Sequence, residues 1–558
     1  MKRPRLFSAQ YLYDMTEQNS SGYRVGLPLL LAGMVALGML IGQQLPRNDQ
    51  NVRFLPGRYP ASQTNGTMDE IMRYIEAKYV DSVREDDMTN DAINHMLGQL
   101  DPHSVYITPE ELQHVEEDMN GNFEGIGVEF VLVDDTIQVV TPLSGGPSES
   151  VGILAGDKII SIADSVVAGI KIDNASIFRR LRGAKGTTVK VGILRGKEHA
   201  LRYFTITRDI IPVHSVDVAY MLDDRTGYIK INRFSAPTYE EFMQAIRPMV
   251  EEKGLKNLVL DLRGNPGGYL NEATELLSQF FPEGKLLVYT QGRTEERRDY
   301  KSNGRARFVI DNLAVLIDEG SASASEIVAG AIQDHDRGWV IGRRSFGKGL
   351  VQEQYPLSNG GALRLTVSRY YTPSGRSIQR AYKNNADYDQ EAERRLEDGE
   401  LAGTLAIKPA DTTKYYTGMG RVVYGGGGIT PDVFIPLDTS FANDFFFAAR
   451  QRLTSFTARW MEGRDRATLP SGLDAFVRQY QVSDQTFDEF LQFLDKEGVA
   501  KNEAELARCK TELRHQLKAR IGKLVFGDEG LYRVLNDDDP AVEKAIQVLR
   551  SGEPVAKK

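Results

Sequence analysis

Three short segments of this 558-residue sequence carry residue types that can attack and stabilise an acyl group. The first is DEGSASASEIVAGAI at 318–332, which follows a strand-like apolar run and opens a helical one. A serine at such a junction projects its hydroxyl beyond the sheet, where the free N–H groups of the helix start also point. Ser321, Ser323 and Ser325 alternate here, and the residues alone do not choose among them. Ser323 and Glu326 also spell the S-x-x-E capping box, so a helix cap explains Ser323 locally. The second segment is WVIGRRSFGKGLVQ at 339–352. Its Gly342, Gly347 and Lys348 nearly form a phosphate-binding loop, but Gly349 stands where a magnesium-holding Ser or Thr belongs. The following LVQEQYPL reads as a strand rather than a phosphate-cradling helix, which excludes a nucleotide site. A lysine between glycines is ordinarily a solvated loop residue, and becomes a base only when burial favours the neutral amine. The third segment, DLRGNPGG at 261–268, has Pro266 followed by two glycines, a turn that can expose backbone N–H donors in a nest. A plain tight turn uses the same residues.

The elements that must position these segments form a multidomain α/β chain. From about 211 to 439, strand-like runs such as NLVLDL at 257–262 and LAVLI at 313–317 alternate with helical stretches at 239–249 and 325–333. Before it, 122–210 contains short strands divided by glycines and a helix-like ASIFRRL at 175–181, a small domain of its own. Residues 65–121 read as helical, with Thr108 and Pro109 opening a capped helix. The chain beyond 440 is charged and helical, with Phe487, Phe490, Leu491 and Leu494 on one face. This 440–558 extension is expected to dimerise the protein, dock an adaptor or cover the core.

Residues 25–42, VGLPLLLAGMVALGMLIG, hold no charge and follow Lys2, Arg3, Arg5 and Arg24. This predicts a cytoplasmic leader at 1–24, a single transmembrane signal anchor at 25–45 and a polar linker at 46–64. The rest would lie on the extracytoplasmic, periplasmic side of the cytoplasmic membrane. A cleaved signal peptide is the rival reading, but IGQQLPR offers no clear A-x-A site. The net charge of −9 argues against a general nucleic-acid binder. Cys509 is the single cysteine, and the seven histidines form no tight ligand cluster, so neither a disulfide nor a zinc site is expected.

Read together, GSASASE at 320–326, FGKGLVQ at 346–352 and LRGNPGG at 262–268 resemble the signature blocks of the carboxyl-terminal processing (tail-specific) serine proteases. Lys348 follows Ser323 by 25 positions and Gln352 follows Lys348 by four, as in that family. The resemblance includes LDPHSVYITPEEL, FEGIGVEF, LAGDKIISI, RYYTPSGRSIQ and GGGGITPDV, and spans roughly 68–437. It implies a protease core at 211–439, with Ser323 as nucleophile, Lys348 as a neutral-amine base and Gln352 orienting that amine. Bringing a lysine from roughly 10.4 to about 7 costs about 4–5 kcal/mol, which burial must supply. Alternation along a strand would put Gln352 on the same face as Lys348. The oxyanion donors implied are the N–H groups of Ala324 and Gly268, with Gly267 as the alternative. His335, far along the helix from Ser323, is expected to be structural.

The 122–210 domain resembles a PDZ domain. There Gly125, Ile126, Gly127 and Val128 would form the loop that captures a terminal carboxylate, and the strand from Val128 would pair with a substrate tail. Arg182 resembles an arginine that couples the two domains. The GGPSES at 145–150 departs from the G-S-P-A more typical of PDZ domains. The resemblance implies protein substrates with exposed apolar C-terminal tails, no cofactor and no metal.

Overall fold

The alternation of the 211–439 region is realised as a six-stranded sheet, in a computed structural model describing residues 66–553 and 555 apart from 144, 197, 383–387, 389, 406–408, 410, 463 and 465–467. Its strands run in the order Val216–Met221, Thr226–Ile231, Asn257–Asp261, Asn312–Ile317, Trp339–Gly342, Val433–Phe434. The first is antiparallel to its neighbour and every later pairing is parallel. Parallel strands must be covered on both faces, which is why Asn257–Asp261 is buried at all five positions.

One face carries the helices Thr238–Glu251, Leu270–Leu277 and Ala324–Asp334, which pack Phe242, Leu276 and Ile327 against Leu258, Leu260 and Val315. The alternate residues Val259, Ala314 and Leu316 point to the other face, where the C-terminal helix Pro540–Ser551 buries Ala541, Val542, Ala545 and Leu549. The register aligns Asp261 with Leu316, and Ile317 with Gly342. The loops after these three strands therefore leave from one edge of the sheet. They are the three segments singled out by their chemistry.

A second sheet is built around the strand Ala362–Tyr371. It pairs with Val105–Ile107, Leu286–Gly292 and Leu350–Pro356, and Arg298–Lys301 extends it beyond Leu286–Gly292. The small domain is an antiparallel sheet ordered Val128–Val133, Thr136–Pro142, Lys158–Ile162, Thr188–Leu194, Arg202–Thr207, with Ser165–Val166 paired to the third strand. The helix Asn174–Leu181 covers it, capped by Asp173, which accepts the Ser176 N–H at 2.6 Å. Thr108 caps Pro109–Asn120 as expected, in a capping box with Glu111. The helix Gly66–Lys78 belongs to a separate unit.

The helices Asp444–Gln451, Leu453–Met461, Leu473–Gln479, Asp484–Lys496 and Glu503–Leu535 share a core that includes Phe446, Phe456, Phe476, Phe487 and Phe490. The last is interrupted at Gly527, whose φ is 70°. Of the three roles expected for this extension, covering the core is the one seen, through Pro540–Ser551. It also touches the small domain by Arg459–Asp134 at 2.9 Å, Glu462–Lys158 at 2.9 Å and Lys523–Glu129 at 3.3 Å. The expected anchor at 25–45 lies outside the described residues. Among the described residues no helix is long and apolar enough to cross a membrane, and no cluster of His, Cys, Asp and Glu could hold a metal ion.

Candidate active site

The strand Asn312–Ile317 hands over to the helix Ala324–Asp334 through Ser323, whose φ of 53° and ψ of −113° are strained for a residue with a Cβ. The three alternating serines separate here. Ser321 and Ser325 are fully buried, and their hydroxyls donate to the carbonyls of Leu262 at 2.9 Å and Asn265 at 3.0 Å. They bolt the 262–268 turn to the helix start, and Ser323 between them remains partly exposed. That division was invisible to sequence, where the three are equivalent.

Glu326, completely buried, organises the rest. Its Oε2 accepts the Ser323 N–H at 2.9 Å and the Lys348 N–H at 2.8 Å, while Oε1 accepts the Ser345 hydroxyl at 2.5 Å and the Gly347 N–H at 2.7 Å. The Glu326 N–H returns to the Ser323 carbonyl at 2.9 Å. The Glu326 carboxyl is pushed up to about 7 by burial, against the pull of these donors. The Tyr370 hydroxyl closes the ring, 3.0 Å from the Ser323 carbonyl oxygen and on the Lys348 carbonyl oxygen as well. Sequence reasoning assigned Glu326 only a cap role and did not single out Tyr370.

Lys348 is largely buried, and burial pulls its amine below the ordinary lysine value, with Arg364 adding to the shift and Glu326 and Asp101 opposing it. Among the described residues no carboxylate forms an ion pair with its Nζ. The strand after it starts only at Leu350, and its register on Ala362–Tyr371 shifts between Val351 and Gln352. The extra residue at that shift is Val367 on the partner strand, and Lys348 lies before the segment in which alternation applies. The Gln352 amide instead meets the Thr366 hydroxyl at 3.4 Å.

The 262–268 turn leans directly on Ser323. A Cβ on Gly267 would lie 2.7 Å from the Ser323 Cβ, and one on Gly268 would lie 2.1 Å from the Phe234 carbonyl oxygen. The Gly267 N–H donates to Asn265 Oδ1 at 2.8 Å. The N–H groups of Gly268, which is exposed, and Ala324, which is buried, have no intramolecular acceptor among the described residues. Behind the turn, burial alone would raise the Asp261 carboxyl, but Arg263 and Lys230 hold it well below the usual carboxylate range. Arg263 also reaches Asp539, the cap of the C-terminal helix, at 2.6 Å. His335 ends its helix and binds the Leu286 carbonyl at 2.6 Å, away from Ser323.

In the small domain a groove of about 400 Å³ runs between the strand Val128–Val133 and the helix Asn174–Leu181. Gly125, Ile126, Gly127 and Val128 line one end, together with Phe123, Phe178 and Arg182. Val128–Val133 is an edge strand, paired on one side only. The Ile126 and Gly127 carbonyls are taken by the N–H groups of Ser148 and Leu143 at 3.0 Å each. The Ile126 and Gly127 N–H groups have no intramolecular acceptor among the described residues. The Ser148 hydroxyl also donates to the Ile126 carbonyl, so the GGPSES variant supports this loop.

Arg182 stacks over Phe123 and Phe178 and donates to Glu117 at 2.5 Å. Glu117 belongs to the helix Pro109–Asn120, whose end meets the 233–236 segment through Met119–Ala236 at 2.9 Å and Asp118–Arg233 at 3.1 Å. Phe234 in that segment bonds Gly267 and Tyr269 on either side of the turn.

Comparison with known proteins bears on these features. The model of peptidase family S41 matches residues 225–388, that of the PDZ domain matches 125–202, and a family of unknown function matches 447–527. A carboxy-terminal-processing protease of Bartonella bacilliformis is 38% identical over 321 residues, covering 56% of this chain and 71% of the relative. A carboxyl-terminal-processing protease of Synechocystis is 35% identical over 55% of this chain and 72% of its own length. The carboxy-terminal processing protease CtpB of Bacillus subtilis is 34% identical over 57% and 67%.

Proposed function

The chain belongs to the carboxy-terminal processing serine proteases of peptidase family S41 and carries a PDZ domain, and on that premise we propose that Ser323 and Lys348 form its catalytic dyad. In this reading the Ser323 Oγ attacks the scissile carbonyl carbon and its proton passes to the neutral Lys348 amine. The resulting ammonium protonates the departing amine, leaving an acyl-enzyme, and Lys348 then takes a proton from the water that hydrolyses it. The tetrahedral oxyanion is held by the N–H groups of Ala324 and Gly268, the two free donors beside Ser323. Gln352 orients the amine.

The observation that carries this reading is the Glu326 carboxylate, which holds the backbones of Ser323 and Lys348 on one oxygen at 2.9 and 2.8 Å. A scaffold that only bound tails would have no use for a lysine loop tied through a buried carboxylate to a strained serine. The PDZ groove supplies selection: the Gly125–Val128 loop takes the terminal carboxylate and the edge strand pairs with an apolar tail, so the core cuts upstream of a held end. Arg182 reports groove occupancy to the core through Glu117.

The same reading puts the catalytic part outside the cytoplasmic membrane, supported by the uncharged run 25–42 behind basic residues. The experiment is cleavage of an unstructured protein with an apolar C-terminal tail by wild type, Ser323→Ala and Lys348→Ala. Both variants should bind the tail and fail to cleave it. Cleavage by Lys348→Ala at the wild-type rate would remove the dyad.

A further inference from the structure

The turn Asp101–Ser104 lies far from Ser323 in sequence, yet it is stitched into the strand pair that carries Gln352. We propose that Asp101 and Thr366 are positioning residues, a hydrogen-bond relay that fixes the Gln352 amide so that its oxygen faces Lys348. The inference rests on the Ser323–Lys348 reading above.

Asp101 is buried, and every contact at its carboxylate is a donor: the N–H groups of His103 at 2.8 Å and Ser104 at 3.0 Å, and the Ser104 hydroxyl at 2.6 Å. These bonds alone would make an ordinary turn. The Thr366 hydroxyl, from a different sheet strand, also donates to Asp101 Oδ1 at 3.0 Å, and the turn does not require it. A hydroxyl has one proton. Because the nearer, charged acceptor takes that proton, Thr366 can offer Gln352 only lone pairs. The group that meets it at 3.4 Å must therefore be the amide nitrogen of Gln352, as found. The amide oxygen is left at the other end, free to accept from an amine, and an amine so held turns its own lone pair toward the serine.

Backbone pairing fixes the same geometry. Thr366 is the cross-strand partner of Gln352, and its N–H donates to the Ser104 hydroxyl at 3.1 Å. Val105–Ile107 then continues as a strand on the opposite edge of Ala362–Tyr371. Thr366 and Gln352 are thus held by sheet register, and the Asp101 turn is bonded to the same strand. The Asp101 charge also acts on Lys348, opposing the effect of burial on that amine.

The test compares wild type, Thr366→Val, Thr366→Ser, Asp101→Asn, the double variant Asp101→Asn/Thr366→Val, and Ser323→Ala as full chains. Each is assayed for kcat and KM on the tailed substrate, tail-peptide affinity and thermal unfolding. Thr366→Val and Asp101→Asn should each lower kcat about 10–100-fold with KM and tail affinity unchanged. The double variant should lose no more than the worse single one, because the relay breaks once. Thr366→Ser keeps the hydroxyl and should stay within about threefold of wild type.

Wild-type kcat in Thr366→Val, Ser as damaging as Val, or losses that multiply in the double variant would overturn the relay. If Thr366→Val does not fold, Asp101→Asn decides: a kcat loss with KM and tail affinity kept supports the relay, and wild-type kcat overturns it. An active Ser323→Ala would instead remove the dyad reading. Ser323→Ala inactive with Thr366→Val at full rate removes the relay alone.

Discussion

The backbone N–H of Lys348 donates to Glu326 Oε2 at 2.8 Å, and the same oxygen receives the N–H of Ser323 at 2.9 Å. With the Ser345 hydroxyl and the Gly347 N–H on Oε1, one buried carboxylate satisfies four donors from the two loops that carry the proposed dyad. A glutamine keeps the shape but has one oxygen, so its NH₂ would confront two donors. Glu326→Gln should lower kcat about 100-fold and destabilise the fold by roughly 2–4 kcal/mol.

The pH dependence has a definite sign. Glu326 is raised from 4.5 to about 7 in the fold, so it stabilises most below 4.5, and that contribution fades as pH rises toward about 7. The stability gap between wild type and Glu326→Gln, followed by urea midpoints, should narrow across that window. A gap that widens would contradict the burial argument.

Lys348 shifts the other way. Burial favours its neutral amine, so the acylation rate should rise with pH along an ionisation below the ordinary lysine value of 10.5. Lys348→Arg cannot deprotonate and should lose about 1,000-fold or more. Because the folded value lies below the unfolded one, the ammonium form weakens the fold, and wild-type stability recovers as pH climbs through the folded value toward 10.5. Lys348→Met should therefore be inactive yet melt higher than wild type at neutral pH, with the advantage shrinking in alkali. Lower melting at neutral pH would contradict a buried amine.

The 262–268 turn offers a graded comparison. Alanine at Gly268 would drive a Cβ to 2.1 Å from the Phe234 oxygen, and at Gly267 to 2.7 Å from the Ser323 Cβ. Either should cost about 100-fold or more in kcat by moving the turn off Ser323, with tail affinity retained. Gly264 also has positive φ, 67°, but its Cβ would meet nothing within 4 Å. Gly264→Ala should cost only about 1–2 kcal/mol of stability and spare kcat. Equal damage at all three positions would point to general misfolding rather than to the site.

Phe178 and Arg182 separate holding a tail from acting on it. Phe178 lines the groove, so Phe178→Asp should raise KM for tailed substrates by about 10-fold or more at unchanged kcat. Arg182 touches Glu117, and Arg182→Ala should weaken the response of kcat to tail occupancy. A substrate lacking the apolar tail should be indifferent to Phe178→Asp. Stopped assays with tailed and tailless versions of one protein make the comparison.

Much of this arrangement was legible in the residues. Apolar runs such as NLVLDL and LAVLI read as strands alternating with helices, and the three chemistry-bearing segments do follow successive strand ends. The glycines at 267 and 268 showed a special backbone, and Thr108 and Pro109 showed a helix start. What stayed hidden depends on contacts between distant segments. The burial of the Ser321 and Ser325 hydroxyls, the Asp101–Thr366 bond and the return of Pro540–Ser551 to the central sheet have no local pattern. Period-two counting from Lys348 to Gln352 fails because the strand starts only at Leu350, so Lys348 lies outside the alternating segment. Glu326 was visible, but as a cap, since capping and bridging use the same residue.

The central claim is that Ser323 is the nucleophile. Its most direct test is cleavage of one unstructured, apolar-tailed protein by wild type and Ser323→Ala, with tail binding measured on the same preparations. The account predicts equal tail affinity, cleavage by wild type and none by Ser323→Ala. Cleavage by Ser323→Ala at the wild-type rate would contradict it.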